Sequence, residues 1–103
     1  MSITFLFTSA GRRVELLQGF RASMQRCGQE CRLLATDLKP EWSAACQVAD
    51  QAWEVPPIDA PEYVQTLVDL CEEEGVQFLV PTLDPELELL AAAKKRFAAV
   101  GTT

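Results

Sequence analysis

The sequence predicts an α/β domain in which a parallel sheet is covered by helices on both faces. Three observations predict it. Short, continuously apolar runs rich in β-branched and aromatic residues alternate with longer segments whose apolar residues recur every three to four positions. The runs lack the polar alternation of a sheet with one wet face, so both faces must be covered. Residues that break regular structure, among them Gly28, Pro40, Pro56, Pro57 and Gly75, fall where the period changes. At 103 residues, 49% of them apolar, the chain makes one domain or part of one.

Residues 3–8 (ITFLFT) read as the first strand, short and apolar throughout. Val14, Leu17, Phe20 and Met24 then recur at helical spacing, and Gly28 supplies a stop. The run 31–36 (CRLLAT) is a second strand. Residues 37–50 form a polar, small-residue connection containing Pro40, with one helical turn at 43–47. A third strand, 51–55, is closed by Pro56 and Pro57. The next helix carries its own start signals: Asp59 as N-cap, Glu62 three residues on and Pro61 in the first turn. Its stripe is Val64, Leu67, Val68 and Cys71, with Gly75 after it. Residues 77–81 (QFLVP) are the fourth strand. Asp84 as N-cap and Pro85 at the first helical position start a last helix, with Leu87, Leu90, Ala91 and Phe97 inward and Gly101 at its end. Gly101, Thr102 and Thr103 read as the lead-in to a fifth strand, which points to a domain cut from a longer protein. Strands alternating with helices in this way join through right-handed crossovers, giving the order 3-2-1-4. The fold class is a Rossmann-like three-layer sandwich with a four-stranded parallel sheet and the beginning of a fifth strand.

Composition excludes several chemistries. The chain has no histidine, which removes Ser-His and Cys-His triads and every His-ligated metal centre. Its four cysteines (Cys27, Cys31, Cys46, Cys71) show no C-x-x-C spacing and read as buried or half-buried free thiols. A net charge of −6 disfavours nucleic acid and anionic membrane as partners. No apolar stretch approaches membrane length, and the apolar opening is too short and lacks a preceding basic region for a signal peptide, so the cytoplasm is the expected compartment. Charge is unevenly spread: residues 1–40 hold six basic side chains against three acids, whereas residues 41–93 hold twelve acids and no Lys or Arg. An anion binding this domain would therefore sit at the N-terminal loop.

In open α/β sheets ligands bind beyond the carboxyl ends of the strands, where the strand order reverses. That point lies between strands one and four. Ser9, Ala10 and Gly11 after strand one are small enough for a ligand to approach backbone N–H groups at a helix start. Arg12 and Arg13 oppose the helix dipole there, so they need another reason for their place. An anionic ligand held in a guanidinium fork is one; pairing with Glu15, Asp84 or Glu86, or simple solvation, is another. The loop lacks both G-x-G-x-x-G and G-x-x-x-x-G-K-[ST], so it matches no strict phosphate cradle. Asp37 stands where a ribose-binding acid would stand and equally suits a turn or cap. Asp84 is explained by capping, whereas Glu86 has no capping duty and is the better ligand candidate. Glu72, Glu73 and Glu74 read as a solvated helix face, and Trp42 and Trp53 as core or domain-interface residues.

The segments FLFTSAGRRVELLQGF, LLATDLKP and VADQAWEVPPIDAPEYVQTLVDLCEEEGVQFLVPTLDPELELLA together resemble the N-terminal, pre-ATP-grasp domain of ATP-grasp ligases, especially those similar to the carbamoyl-phosphate synthase large subunit. The resemblance implies a full-length enzyme that uses ATP and magnesium to activate a carboxylate as an acylphosphate and joins it to an amine or similar nucleophile. It places ATP and magnesium in two later lobes, and it has this domain pack against them and close one side of the acceptor site. It also implies that Ser9, Gly11, Arg12, Arg13, Asp37, Asp84 and Glu86 face the shared cleft, with an anionic or amino-acid small molecule as substrate. These 103 residues contain neither ATP-grasp lobe, so the chain alone is not expected to catalyse ligation. Two other readings stand beside this one: a self-sufficient nucleotide-binding module, and a packing domain whose arginines pair across an interface.

Overall fold

A computed structural model describes residues 3–11, 13–82 and 84–103; Arg12 and the side chain of Asp84 lie outside the described residues. The strands are β1 (Ile3–Thr8), β2 (Cys31–Asp37), β3 (Gln51–Glu54) and β4 (Phe78–Pro81). They form one parallel sheet in the order β3-β2-β1-β4, the predicted 3-2-1-4 arrangement. The helices are α1 (Val14–Arg26), α2 (Ala44–Val48), α3 (Tyr63–Glu74), α4 (Asp84–Ala92) and α5 (Lys94–Ala98), with a 3-10 turn at Pro40–Trp42.

The two-residue period of the strands splits the interior into two layers. Phe5, Phe7, Leu33 and Ala35 point to one face and meet Leu17 of α1 with Ala45 and Cys46 of α2. Phe20 of α1 sets its ring edge-on to Phe5 and Phe7, at 5.3 and 5.2 Å between centroids, a favoured geometry for aromatic pairs. Leu6 and Leu34 point to the other face and meet Leu67 and Cys71 of α3, Leu90 of α4 and Phe97 of α5. The sheet is buried on both sides, as its uniform apolarity requires. Gly75 ends α3 at φ 65°, a left-handed conformation that costs glycine little.

Four details differ from the sequence-based expectation. α3 starts at Tyr63, because two turns precede it: Ala60 N–H donates to the Pro57 carbonyl at 2.9 Å and Tyr63 N–H to the Ala60 carbonyl at 3.1 Å. Asp59 is therefore not its N-cap. The last helix is two helices, broken at Ala93. Its inward stripe is Glu86, Leu90, Ala93 and Phe97, all buried, while Leu87 and Ala91 are exposed. Of the two tryptophans expected in the core or at a domain interface, Trp53 packs half-buried against the α3 side, while Trp42 is 79% exposed and outside the core. All four cysteines are free; Cys46 and Cys71 are buried and Cys31 is half-buried, but Cys27 is exposed.

Beyond α5, Thr103 pairs with the outer edge of β4 in the parallel sense: its N–H donates to the Gln77 carbonyl at 2.9 Å and its carbonyl accepts from Leu79 N–H at 3.0 Å. No helix among the described residues is long and apolar enough to cross a membrane.

Candidate functional site: a cleft at the carboxyl rim of the sheet

A cleft of about 510 Å³ opens beyond the carboxyl ends of the strands. It is lined by Ser9 and Gly11 after β1, Asp37 and Leu38 at the end of β2, Val55, Pro56, Ile58 and Asp59 in the segment after β3, and Tyr63 and Pro85 at the starts of α3 and α4. A larger depression of about 570 Å³ lies at the opposite end, lined in part by Arg21 and Arg32. Both arginines are already engaged, Arg21 with Asp50 and the Val48 carbonyl, Arg32 with Glu74.

The loop after β1 is held from several directions. Ser9 and Gly11 both sit at φ 51°, in the left-handed region, which for Ser9 costs roughly 1–2 kcal/mol unless other contacts offset it. Ala10 N–H donates to the Thr36 carbonyl at 3.1 Å, and Gly11 N–H donates to Asp37 Oδ2 at 2.8 Å. The Gly11 carbonyl accepts from the Ser43 hydroxyl at 2.6 Å and from Ala45 N–H at 3.1 Å. The other oxygen of Asp37 accepts from Leu38 N–H at 2.7 Å. The backbone donors at Ala10 and Gly11 are thus taken by the protein, and Asp37 shows the turn-and-cap role as its hydrogen bonding.

Beneath this loop lies Glu86, 0% exposed. Its Oε1 accepts from the Thr8 hydroxyl at 2.7 Å and from Thr82 N–H at 2.8 Å. Its Oε2 accepts from the Ser9 hydroxyl and from the Tyr63 hydroxyl, the latter at 3.0 Å. A buried carboxylate is costly unless its lone pairs are satisfied, and four donors from β1, its loop, the β4 loop and α3 satisfy this one. The Thr82 hydroxyl adds a further tie, lying 2.9 and 2.7 Å from the carbonyls of Thr8 and Ser9. Burial, and then the neighbouring Glu86 charge, push the Tyr63 phenol well above its usual range.

Of the residues predicted for the site, Ser9, Gly11 and Asp37 line the cleft and Glu86 forms its underpinning. Arg13 is exposed and donates to the Thr82 carbonyl at 3.4 Å; among the described residues it has no carboxylate partner and does not line the cleft. Arg12 and the Asp84 side chain lie outside the described residues. Sequence reasoning did not single out Tyr63, Thr8 or Thr82. A signal for Tyr63 was present: it stands four residues before Leu67 on the inward stripe of α3, and a buried tyrosine needs a partner for its hydroxyl.

No group of three acidic or cysteine side chains among the described residues is arranged to hold a metal ion, and the loop where a phosphate would sit has its Ala10 and Gly11 N–H groups engaged.

No curated protein matches the chain. A family model described as PylC-like, N-terminal domain, matches residues 5–103, which takes in every strand and helix of the fold except the first two residues of β1. The chain therefore belongs to the PylC-like N-terminal domain family, a pre-ATP-grasp domain of ATP-grasp ligases.

Proposed function

We propose that this domain is the acceptor-side module of an ATP-dependent carboxylate–amine ligase, with its rim cleft receiving the amine-bearing substrate. ATP and magnesium, when bound in the ATP-grasp lobes, supply activation of the carboxylate; the residues here bind and orient its partner. The observation that carries this reading is the hydrogen bonding of the β1 loop, which engages the Ala10 and Gly11 N–H groups inside the protein. The charged side chains among the described cleft residues are Asp37 and Asp59, and they favour a cation over phosphate or carboxylate. A self-sufficient nucleotide-binding module is correspondingly disfavoured.

The sequence segments that resemble the carbamoyl-phosphate synthase large subunit suggest a ligase of that branch, acting in the cytoplasm. A contact with the ATP-grasp lobes is the second part of the proposal. Leu38, 49% exposed, lines the cleft, and Trp42, 79% exposed, closes the 3-10 turn that follows β2; large exposed apolar side chains mark interaction surfaces.

Calorimetric titration of the 103-residue chain tests the reading. The expected result is no heat with ATP–magnesium or NAD, and weak binding of amino acids that carry a side-chain amine. Nucleotide binding to this chain would move the ATP chemistry into the domain and defeat the proposal.

A further inference from the structure

Glu86 does not line the cleft, yet it decides which hydrogen-bonding character the cleft offers. Ser9 and Tyr63 line the cleft, and each hydroxyl directs its single hydrogen into Glu86 Oε2. A hydroxyl carries one donor and two lone pairs, so both oxygens have only lone pairs left to give. The remaining polar side chains of the cleft, Asp37 and Asp59, are acceptors when ionised. Several backbone donors are engaged as well: the N–H groups of Gly11, Leu38, Val55 and Tyr63 bond within the protein, and Pro56 and Pro85 have none. No side chain lining the cleft among the described residues is a free donor.

We infer that Glu86 is a specificity-determining residue: by orienting the Ser9 and Tyr63 hydroxyls it leaves the described polar side chains of the cleft as acceptors, selecting a protonated primary amine over a carboxylate of the same size. This rests on the reading of the cleft as an amine site and adds the residue that sets its polarity.

The chemistry of Glu86→Gln makes the inference testable. Thr82 N–H is a fixed backbone donor on the Oε1 side, so the glutamine must present its carbonyl oxygen there. Its NH2 group then faces Ser9 and Tyr63 and donates to them, and their hydroxyl hydrogens turn elsewhere, including into the cleft. One substitution of nearly constant shape thus converts acceptors into donors. The probes are n-butylammonium and butyrate, alike in length and opposite in charge, titrated into the 103-residue chain while the amide signals of Gly11 and Leu38 are followed by NMR.

The wild-type chain is expected to respond to the ammonium and not to butyrate, and Glu86→Gln to reduce the ammonium-to-butyrate affinity ratio by about tenfold or more. An unchanged ratio in a folded Glu86→Gln protein overturns the role of Glu86 while leaving the amine site standing. A wild-type chain that binds neither probe, or butyrate better, overturns the amine reading and this inference together. Should Glu86→Gln not fold, Tyr63→Phe carries the test, because it removes one acceptor without removing Glu86. Its ammonium affinity is expected to fall severalfold with butyrate unaffected, and an unchanged ammonium affinity counts against the inference.

Discussion

At Gly11 the backbone N–H that a phosphate-binding loop leaves for its ligand is taken by Asp37. The same carboxylate holds Leu38 N–H, so it fixes the exits of β1 and β2 at once. Asp37→Ala removes both acceptors and is expected to cost about 1–3 kcal/mol, read as a lower denaturant midpoint with an unchanged slope. Tyr63 offers a second test at this scale because it is the sole tyrosine of the chain. Its raised folded value means that above the ordinary phenol value of about 10 the unfolded chain loses a proton that the folded chain keeps. The unfolded state then binds fewer protons than the native one, so stability is complete below that pH and falls as pH rises further. Phenolate absorbance near 295 nm is expected to appear together with alkaline unfolding, not ahead of it. An early rise in a folded protein would show that the Tyr63–Glu86 bond is not formed in solution.

At the scale of the elements, the strands were legible because each needs only a short apolar run and a bounding turn residue. β1 begins and ends where the composition places it, and the other strands agree to within a residue or so. α1 was equally plain, and its interior Gly19 has no packing reason: a Cβ there meets nothing within 4 Å. Gly19→Ala is expected to stabilise the domain by about 0.5–1 kcal/mol, seen as a higher thermal midpoint. The start of α3 and the facing of α4 were less legible. Asp59 with Glu62 has the spacing of a helix start, but the turns through Ala60 delay the helix to Tyr63. In α4 the leucines suggested an inward Leu87, whereas the buried row begins at a charged residue, Glu86. Hydropathy assigns a glutamate to the surface, and only donors brought from other segments make its burial tolerable.

For the whole molecule, parallel topology places three loops and the first turns of two helices around one rim, and Glu86 of α4 accepts from β1, the loop after it, the start of α3 and the loop after β4. The location of the cleft was legible from strand order alone. Its character was not, because that depends on contacts between residues far apart in sequence: Thr8, Ser9, Tyr63 and Thr82 converge on Glu86, and none of those pairings leaves a local pattern. The arginines after β1 suggested an anion or a structural pairing; Arg13 turns to the Thr82 carbonyl, Arg12 lies outside the described residues, and the charged side chains of the described cleft are acids. The N–H groups of Ala10, Gly11 and Thr82 are engaged inside the protein, and the described polar side chains of the cleft are left as acceptors. Hydrogen exchange at the Ala10, Gly11 and Thr82 amides tests this engagement most directly. These three N–H groups should exchange as slowly as the amides of β1, opening only with global unfolding. Exchange at the rate of an exposed loop would show that the donors are free to meet a ligand, and would contradict the account.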